Sequence, residues 1–211
     1  MNILVTAGPT REHLDPIRFL SNRSTGKMGF AIAQAAAGRG HRVTLIAGPV
    51  ALATPKGVTR IDVTSALDML AAVERALPGC DALVMSAAVA DWRPEQCAGT
   101  KLKKRGMNPA LRLVPNPDIL ATVAPQKGGR VFVGFAAETG DPATEARRKL
   151  TAKSLDLIVA NDVTASGAGF ATDTNVVTLF APGTAPQPLP LMPKLEVAQV
   201  IVQWIEAHWV F

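Results

Sequence analysis

Four stretches of this chain combine residue types that can hold or transform an anion, and each follows an apolar run of strand length. The first is Thr6-Ala7-Gly8-Pro9-Thr10-Arg11, continued by Ser21-Asn22-Arg23-Ser24-Thr25-Gly26-Lys27-Met28-Gly29-Phe30. A strand, a loop and a helix opening at small polar residues direct backbone N–H groups and the positive end of a helix dipole at one point, which suits a phosphate. Gly26 and Gly29 allow helix and ligand to approach closely, and they serve a turn needed only for packing equally well. The second stretch is Lys101-Leu102-Lys103-Lys104-Arg105, with Arg112 close behind and no acid between Glu95 and Asp118. Such a loop can clamp a triphosphate or a nucleic-acid backbone, and a solvated basic loop has the same composition. The third, Ser86-Ala87-Ala88-Val89-Ala90-Asp91, has small residues against which a ligand can lie. Asp91 can accept from that ligand, help hold a hydrated divalent cation, or cap a turn. The fourth is Gly134-Phe135-Ala136-Ala137-Glu138-Thr139, followed by a helix with Lys149 and Lys153 four residues apart on one face. Phe135 is either a stacking platform for a base or plain core, and the lysines either reach one anion or face solvent.

Several chemistries lack their residues. GxGxxG is absent, and the strand 43–47 ends in Gly48-Pro49 with no acid for a ribose hydroxyl, which weakens a nicotinamide-dependent oxidoreductase. Gly26-Lys27 is followed by Met28, and Ser21 stands where a P-loop needs glycine. His13, His41 and His208 are scattered, no GxSxG or HExxH occurs, and Cys80 and Cys97 form no paired motif, so hydrolase, zincin and thiol mechanisms have no support. A basic nucleic-acid-binding module remains an alternative, but the aromatic residue nearest the basic run is Trp92 and the chain has no tyrosine. The oxidoreductase is the other alternative.

The elements that must position these residues alternate between strand and helix periods. Strands are expected at 2–6, 42–47, 58–62, 82–87, 131–136, 156–160 and 175–180, and helices at 26–39, 65–77, 118–124, 142–153 and 194–208. Ser65 opens one helix, Asn116-Pro117 reads as an N-cap with proline at the first helical position, and Asp141-Pro142 repeats that arrangement. Alternation of this kind is an α/β fold with a doubly wound, mostly parallel sheet, whose ligands bind at the carboxyl ends of the strands. Loops at 7–25, 88–113 and 164–174 follow strands and are long enough to carry function. The segment 181–193, with five of the sixteen prolines, reads as a stiff connector to the last helix. With 211 residues, 48% of them apolar, and 22 basic against 17 acidic side chains, the chain is expected to be one globular domain at +5. No long apolar span and no basic leader precede or interrupt it, so a cytoplasmic protein that does not enter the membrane is expected.

Taken together and in order, Ile3-Leu4-Val5-Thr6-Ala7-Gly8-Pro9-Thr10-Arg11-Glu12, Leu14-Asp15-Pro16-Ile17-Arg18, Ser21-Asn22, Gly26-Lys27-Met28-Gly29, Ala87-Ala88-Val89-Ala90-Asp91, Lys101-Leu102-Lys103-Lys104, Asn116-Pro117-Asp118, Gly134-Phe135-Ala136-Ala137-Glu138-Thr139 and Ala160-Asn161-Asp162-Val163 resemble bacterial phosphopantothenate–cysteine ligase over essentially the whole chain. The resemblance implies a Rossmann-like three-layer fold with an active-site flap at 88–113 and a dimerisation extension. It implies that the carboxylate of 4′-phosphopantothenate attacks the α-phosphate of CTP, with Mg²⁺, to give an acyl-cytidylate and pyrophosphate. The amine of L-cysteine then displaces CMP, completing a step of coenzyme A biosynthesis. Carried over residue by residue, Asn22 and Lys101 are catalytic. Ser24, Gly26, Gly29, Ser86, Ala87, Asp91, Lys101, Asn116, Pro117, Asp118, Ile119, Phe135, Lys149 and Lys153 bind the nucleotide, whose cytosine is read through backbone groups. Arg18, Asn22, Ala87 and Ala88 bind phosphopantothenate. Metal ligands are not assigned. The resemblance further implies a homodimer, no nucleic-acid partner, and a flavin-dependent decarboxylase fused to or associated with the ligase. The flap is short at Gly106-Met107-Asn108-Pro109, and Trp92 follows Asp91.

Overall fold

The computed structural model describes residues 1–103, 110–138, 142–162 and 167–209. In chain order it contains β1 (Asn2–Ala7), β2 (Arg11–His13), β3 (Phe19–Ser21), α1 (Lys27–Gly38), β4 (Arg42–Ala47), β5 (Val58–Asp62), α2 (Ala66–Ala76), β6 (Ala82–Met85) and β7 (Trp92–Pro94). Then come β8 (Leu113–Pro115), α3 (Ile119–Val123), β9 (Val131–Glu138), α4 (Pro142–Ala152), β10 (Leu157–Asp162), β11 (Thr174–Phe180), β12 (Gln187–Pro193) and α5 (Lys194–His208).

The main sheet has eight strands in the order β12-β11-β10-β9-β6-β1-β4-β5. The six from β10 to β5 run parallel, and β11 and β12 add an antiparallel edge. Alternate residues of each central strand feed two cores, as the period of two requires. Ile3, Val5 and Ala7 of β1 pack with Phe30 and Ile32 of α1 and Val197, Ile201 and Ile205 of α5. Leu4 faces the other way, into a core built from Met69 of α2, Ile119 of α3 and Leu150 of α4. The result is three layers, doubly wound, as the sequence pattern predicts. The strand order reverses between β1 and β6, so the crevice at their carboxyl ends is the topological switch point.

Local chemistry sets the element boundaries. Ser65 caps α2 in a reciprocal capping box with Asp68. The cap of α3 differs from expectation: Asp118, not Asn116, accepts from the N–H of Ala121. Asn116 spends its amide on Ala90 and Arg93 instead. Asp141 lies outside the described residues. The segment 181–193 is not merely a connector, because its second half is edge strand β12, paired with β11 alone. An edge strand has a neighbour on one side only, which is where Pro188 and Pro190 are tolerated. The two long loops also hold structure, since β2 pairs with β3 and β7 with β8 in small antiparallel ribbons.

One contact fixes how closely α1 lies on the sheet. A Cβ on Gly29 would stand 2.5 Å from the Cβ of Ala7 and 2.8 Å from the carbonyl oxygen of Thr6. Gly29→Ala must therefore lift the first turn of α1 from β1. Its expected cost is about 1–3 kcal/mol, read as a lower urea midpoint with an unchanged slope.

Candidate active site

The carboxyl ends of β6, β9 and β10 and the start of α1 surround a cavity of about 850 Å³. Its floor depends on two loops tied together before any ligand arrives. The hydroxyl of Thr6 accepts from the N–H of Ala87 at 3.2 Å, and that of Thr10 from Ala90 at 3.0 Å. Ala88 donates to the Gly8 carbonyl at 2.9 Å and accepts from Thr10 at 3.3 Å. Thr6 and Thr10 are fully buried, so these are the acceptors that segment 87–90 has in place of water. Ala87 and Ala88 consequently offer a ligand their small side chains, while their N–H groups are already in use.

Asn22 crosses this floor, its Nδ2 donating to the carbonyls of Ala88 at 3.0 Å and Val89 at 3.2 Å. Both amide hydrogens are spent, which leaves Oδ1 as the group Asn22 can offer to a substrate. The start of α1 is open: Gly26 occupies its N-cap with φ of 80°, in the left-handed region, and no side chain caps the helix. The first N–H groups of α1 thus face the cavity beside Ser24, as a phosphate site requires.

The opposite wall is cationic. Lys153 pairs with Asp118 at 2.8 Å, and Lys149 lies one turn earlier on α4. Burial raises the Asp118 pKa, but Lys153 and the N–H of Ala121 outweigh it and hold the carboxyl below its usual range. Lys27 pairs with Asp173 at 2.7 Å. Lys194 is buried, its ammonium donating to the carbonyls of Gly169 and Thr172. Burial, with the charge of Lys27, lowers the Lys194 pKa.

Of the seventeen residues expected at the site, fifteen line this one cavity, from Asn22 on one side to Lys149 and Lys153 on the other. Arg18 and Lys101 do not. Lys101 is exposed at the start of the flap, next to residues 104–109, which lie outside the described residues. Arg18 is engaged with Asp15, at 3.0 Å through Nε and 2.5 Å through Nη2, and also donates to the Leu102 carbonyl at 2.8 Å. Asp15, fully buried, accepts in addition from the N–H groups of Ile17, Arg18 and Leu102. The pair therefore moors the flap base to the turn between β2 and β3.

Sequence reasoning missed Asn161, Asn175, Phe170 and Lys194, which also line the cavity. The signal for Asn161 was present, a polar residue closing the apolar run 157–160 at a strand's carboxyl end. Neither cysteine belongs to the site. Burial pushes the Cys80 thiol up to about 11, and Cys97 is exposed elsewhere. Among the described residues no group of three or more His, Cys, Asp or Glu side chains is placed to hold a metal, and no helix is long and apolar enough to cross a membrane.

A doubly wound α/β sheet with an uncapped helix start and lysines around a cavity at its switch point defines a Rossmann-like protein whose cavity suits a small polyanion. Residues 1–208 match the model of the DNA/pantothenate metabolism flavoprotein C-terminal domain, and the chain belongs to that family. It is 49% identical over 207 residues to the coenzyme A biosynthesis bifunctional protein CoaBC of Bacillus subtilis, covering 98% of this chain and 51% of that one. The Escherichia coli K12 protein of the same name is 51% identical over 184 residues, covering 85% of this chain and 45% of its own length. The chain thus spans about half the length of the curated relatives it matches. A crystal structure of the C-terminal domain of CoaBC superposes with a TM-score of 0.84 at 40% identity, covering 98% of this chain and 94% of that one. A Streptococcus pneumoniae protein named as the DNA/pantothenate metabolism flavoprotein shares the fold, with a TM-score of 0.84 at 24% identity over 98% of this chain and 99% of that one.

The mooring at Asp15 gives a pH signature. Arg18 foremost, then the three N–H groups, outweigh burial and hold its carboxyl well below the usual range. A depressed folded pKa adds stability that is full above the unfolded value of about 4 and is lost as pH falls toward the folded one. Urea midpoints are expected to drop as pH falls below about 4 and to go on dropping through about pH 2. Asp15→Asn flattens that dependence without removing it, because Arg148 also holds Glu145 down to about 2.

Proposed function

We propose that this chain is a phosphopantothenate–cysteine ligase domain, joining 4′-phosphopantothenate and L-cysteine through an acyl-cytidylate at the cost of CTP, in coenzyme A biosynthesis. The observation that carries the reading is the convergence on one cavity of an open helix start, an asparagine whose carbonyl oxygen is left for a ligand, and the lysines at the end of α4, Lys149 and Lys153. Family membership and the names of the full-length relatives agree with it.

The first half joins two anions, so its barrier is mainly electrostatic. The α1 N–H groups, Ser24, Lys149 and Lys153 offset the phosphate charge, and Lys101 joins them from the flap. A carboxylate oxygen of phosphopantothenate bonds to the α-phosphorus as the bond to pyrophosphate breaks. Mg²⁺ supplies further neutralisation of the triphosphate. Asp91, an exposed carboxylate at the cavity, would help hold that cation beside the nucleotide. In the second half the cysteine nitrogen bonds to the acyl carbon, and the C–O bond to CMP breaks with its electron pair leaving on the phosphate. Asn22 Oδ1 accepts an N–H of that amine and orients its lone pair. Arg18 has a role beyond phosphate binding in this reading, since it sets the flap base that presents Lys101. A homodimer completes the site, and a flavin-dependent decarboxylase is fused to it or associated with it.

Pyrophosphate release with CTP and 4′-phosphopantothenate before cysteine is added, and CMP release after it, are the expected results. No release with any nucleotide overturns the ligase reading. Asn22→Asp removes both amide donors and sets a charge against the Ala88 and Val89 carbonyls. It is expected to slow amide formation by about tenfold or more, and acyl-cytidylate formation less, in single-turnover measurements of the two halves.

A further inference from the structure

The cavity continues past β9 to a lobe that the roles above leave unused. There β10 and β11 are antiparallel neighbours, with Asn161 opposite Val177. Asn175 lies two residues before Val177, so both asparagines face the same side of the sheet on adjacent strands. They are 9% and 2% exposed, and both line the cavity. Asn161 Oδ1 is buried and accepts no hydrogen bond among the described residues. Asn175 has the complementary need. Its Oδ1 accepts from the N–H of Val176 at 3.1 Å, which fixes the amide, while among the described residues its Nδ2 meets only the sulfur of Met28 at 4.0 Å, a weak acceptor. Among the described residues a buried acceptor and a buried donor thus stand side by side without adequate partners, a state that costs free energy until a ligand fills it.

Phe135 belongs to the same lobe. It pairs with Val159, and its half-buried ring stands on the face shared by Val159 and Asn161. An apolar ring beside an acceptor and a donor is the chemistry that recognises a nucleobase by its face and its edge. The span is also right. Asn22 sits over the end of β6 and Asn161 at the end of β10, two strands away, or about 10 Å. That is the distance from the reacting phosphate of a nucleotide to its base.

Resting on the ligase reading, we propose that Asn161 and Asn175 read the edge of a base that carries an exocyclic amine beside an unprotonated ring nitrogen, and so select the nucleotide. The amine donates to Asn161 Oδ1 and the ring nitrogen accepts from Asn175 Nδ2. Cytosine and adenine both present this edge. Uracil presents a carbonyl to Asn161 and an N–H to Asn175, mismatched at both, and rotating the Asn175 amide to suit it breaks the bond to Val176. Selection therefore comes from side chains of β10 and β11 as well as from backbone at the strand ends.

The test measures kcat/KM for pyrophosphate release with CTP, UTP and ATP in the wild-type protein and in Asn161→Leu. Calorimetric binding of CMP, UMP and AMP to wild type and Asn161→Ser serves should the leucine variant fail to fold. The wild type is expected to prefer CTP or ATP over UTP by a hundredfold or more, and Asn161→Leu to reduce that ratio by about tenfold or more. A general loss of packing lowers all three rates together and leaves the ratio in place, and that result overturns the proposal. So does a variant that raises the KM for cysteine while base preference is kept, which assigns the lobe to the amino acid. The CTP and ATP arms identify which amine-bearing base is taken. If no nucleotide yields pyrophosphate, the ligase reading falls, and the monophosphate measurement still decides the subsite: a CMP or AMP preference over UMP that Asn161→Ser removes supports it, and equal binding overturns it.

Discussion

Parallel strands do not stop pairing where β1 and β6 end. The chain on both sides continues as loop, yet Thr6, Gly8 and Thr10 keep bonding to Ala87, Ala88 and Ala90 as if the ladder went on. A topological switch point normally opens a crevice because the two strands send their helices to opposite faces. Here the crevice has been given a floor. The hydroxyls of Thr6 and Thr10, both fully buried, make this possible by supplying acceptors where the carbonyl register has run out. Without that floor Asn22 would have no carbonyls to lie across, and the open start of α1 would face a gap instead of a cavity.

The layers above and below hold this arrangement at fixed distances. Gly29 lets the first turn of α1 rest on Ala7, which places the helix N–H groups over the floor. On the other face the side chain of Asp118 starts α3 and anchors Lys153, the residue that follows α4, so one carboxylate sets both a helix end and a cation. Glu12, nearly fully buried, accepts from the N–H of Ala66 and ties the loop after β1 to the beginning of α2. Glu12 is buried with its partner in place, and the exposed Asp118 holds two partners at once, which restricts the loops to one geometry.

Fold class and fifteen residues of the cavity lining were legible in the sequence because both rest on local pattern. Apolar runs mark β1, β4, β6, β9 and β10, and small or charged residues directly after them mark the rim. What the sequence concealed depends on pairing at long range. Arg18 reads only as a ligand for phosphate until it is also found bonded to Asp15 and to the Leu102 carbonyl. Asn116 reads as a helix cap until its amide is found bridging Ala90 and Arg93. Asn161 and Asn175 lie fourteen positions apart and acquire meaning only when β10 and β11 are set antiparallel. The prolines of 181–193 concealed β12 for a different reason, since a residue that cannot donate is evidence against an inner strand and none against an outer one.

That outer strand settles how the sheet ends. Pro188 and Pro190 remove hydrogen-bond donors from the eighth strand, and Pro193 closes it against α5. A foreign strand seeking a regular ladder along this border meets gaps where it needs N–H groups, so growth of the sheet from chain to chain is blocked on that side. Two copies of this protein that associate must meet through side-chain surfaces rather than through a continuous sheet across β12. The seam left between them can then be shaped by loops, the parts of this fold that surround its cavity.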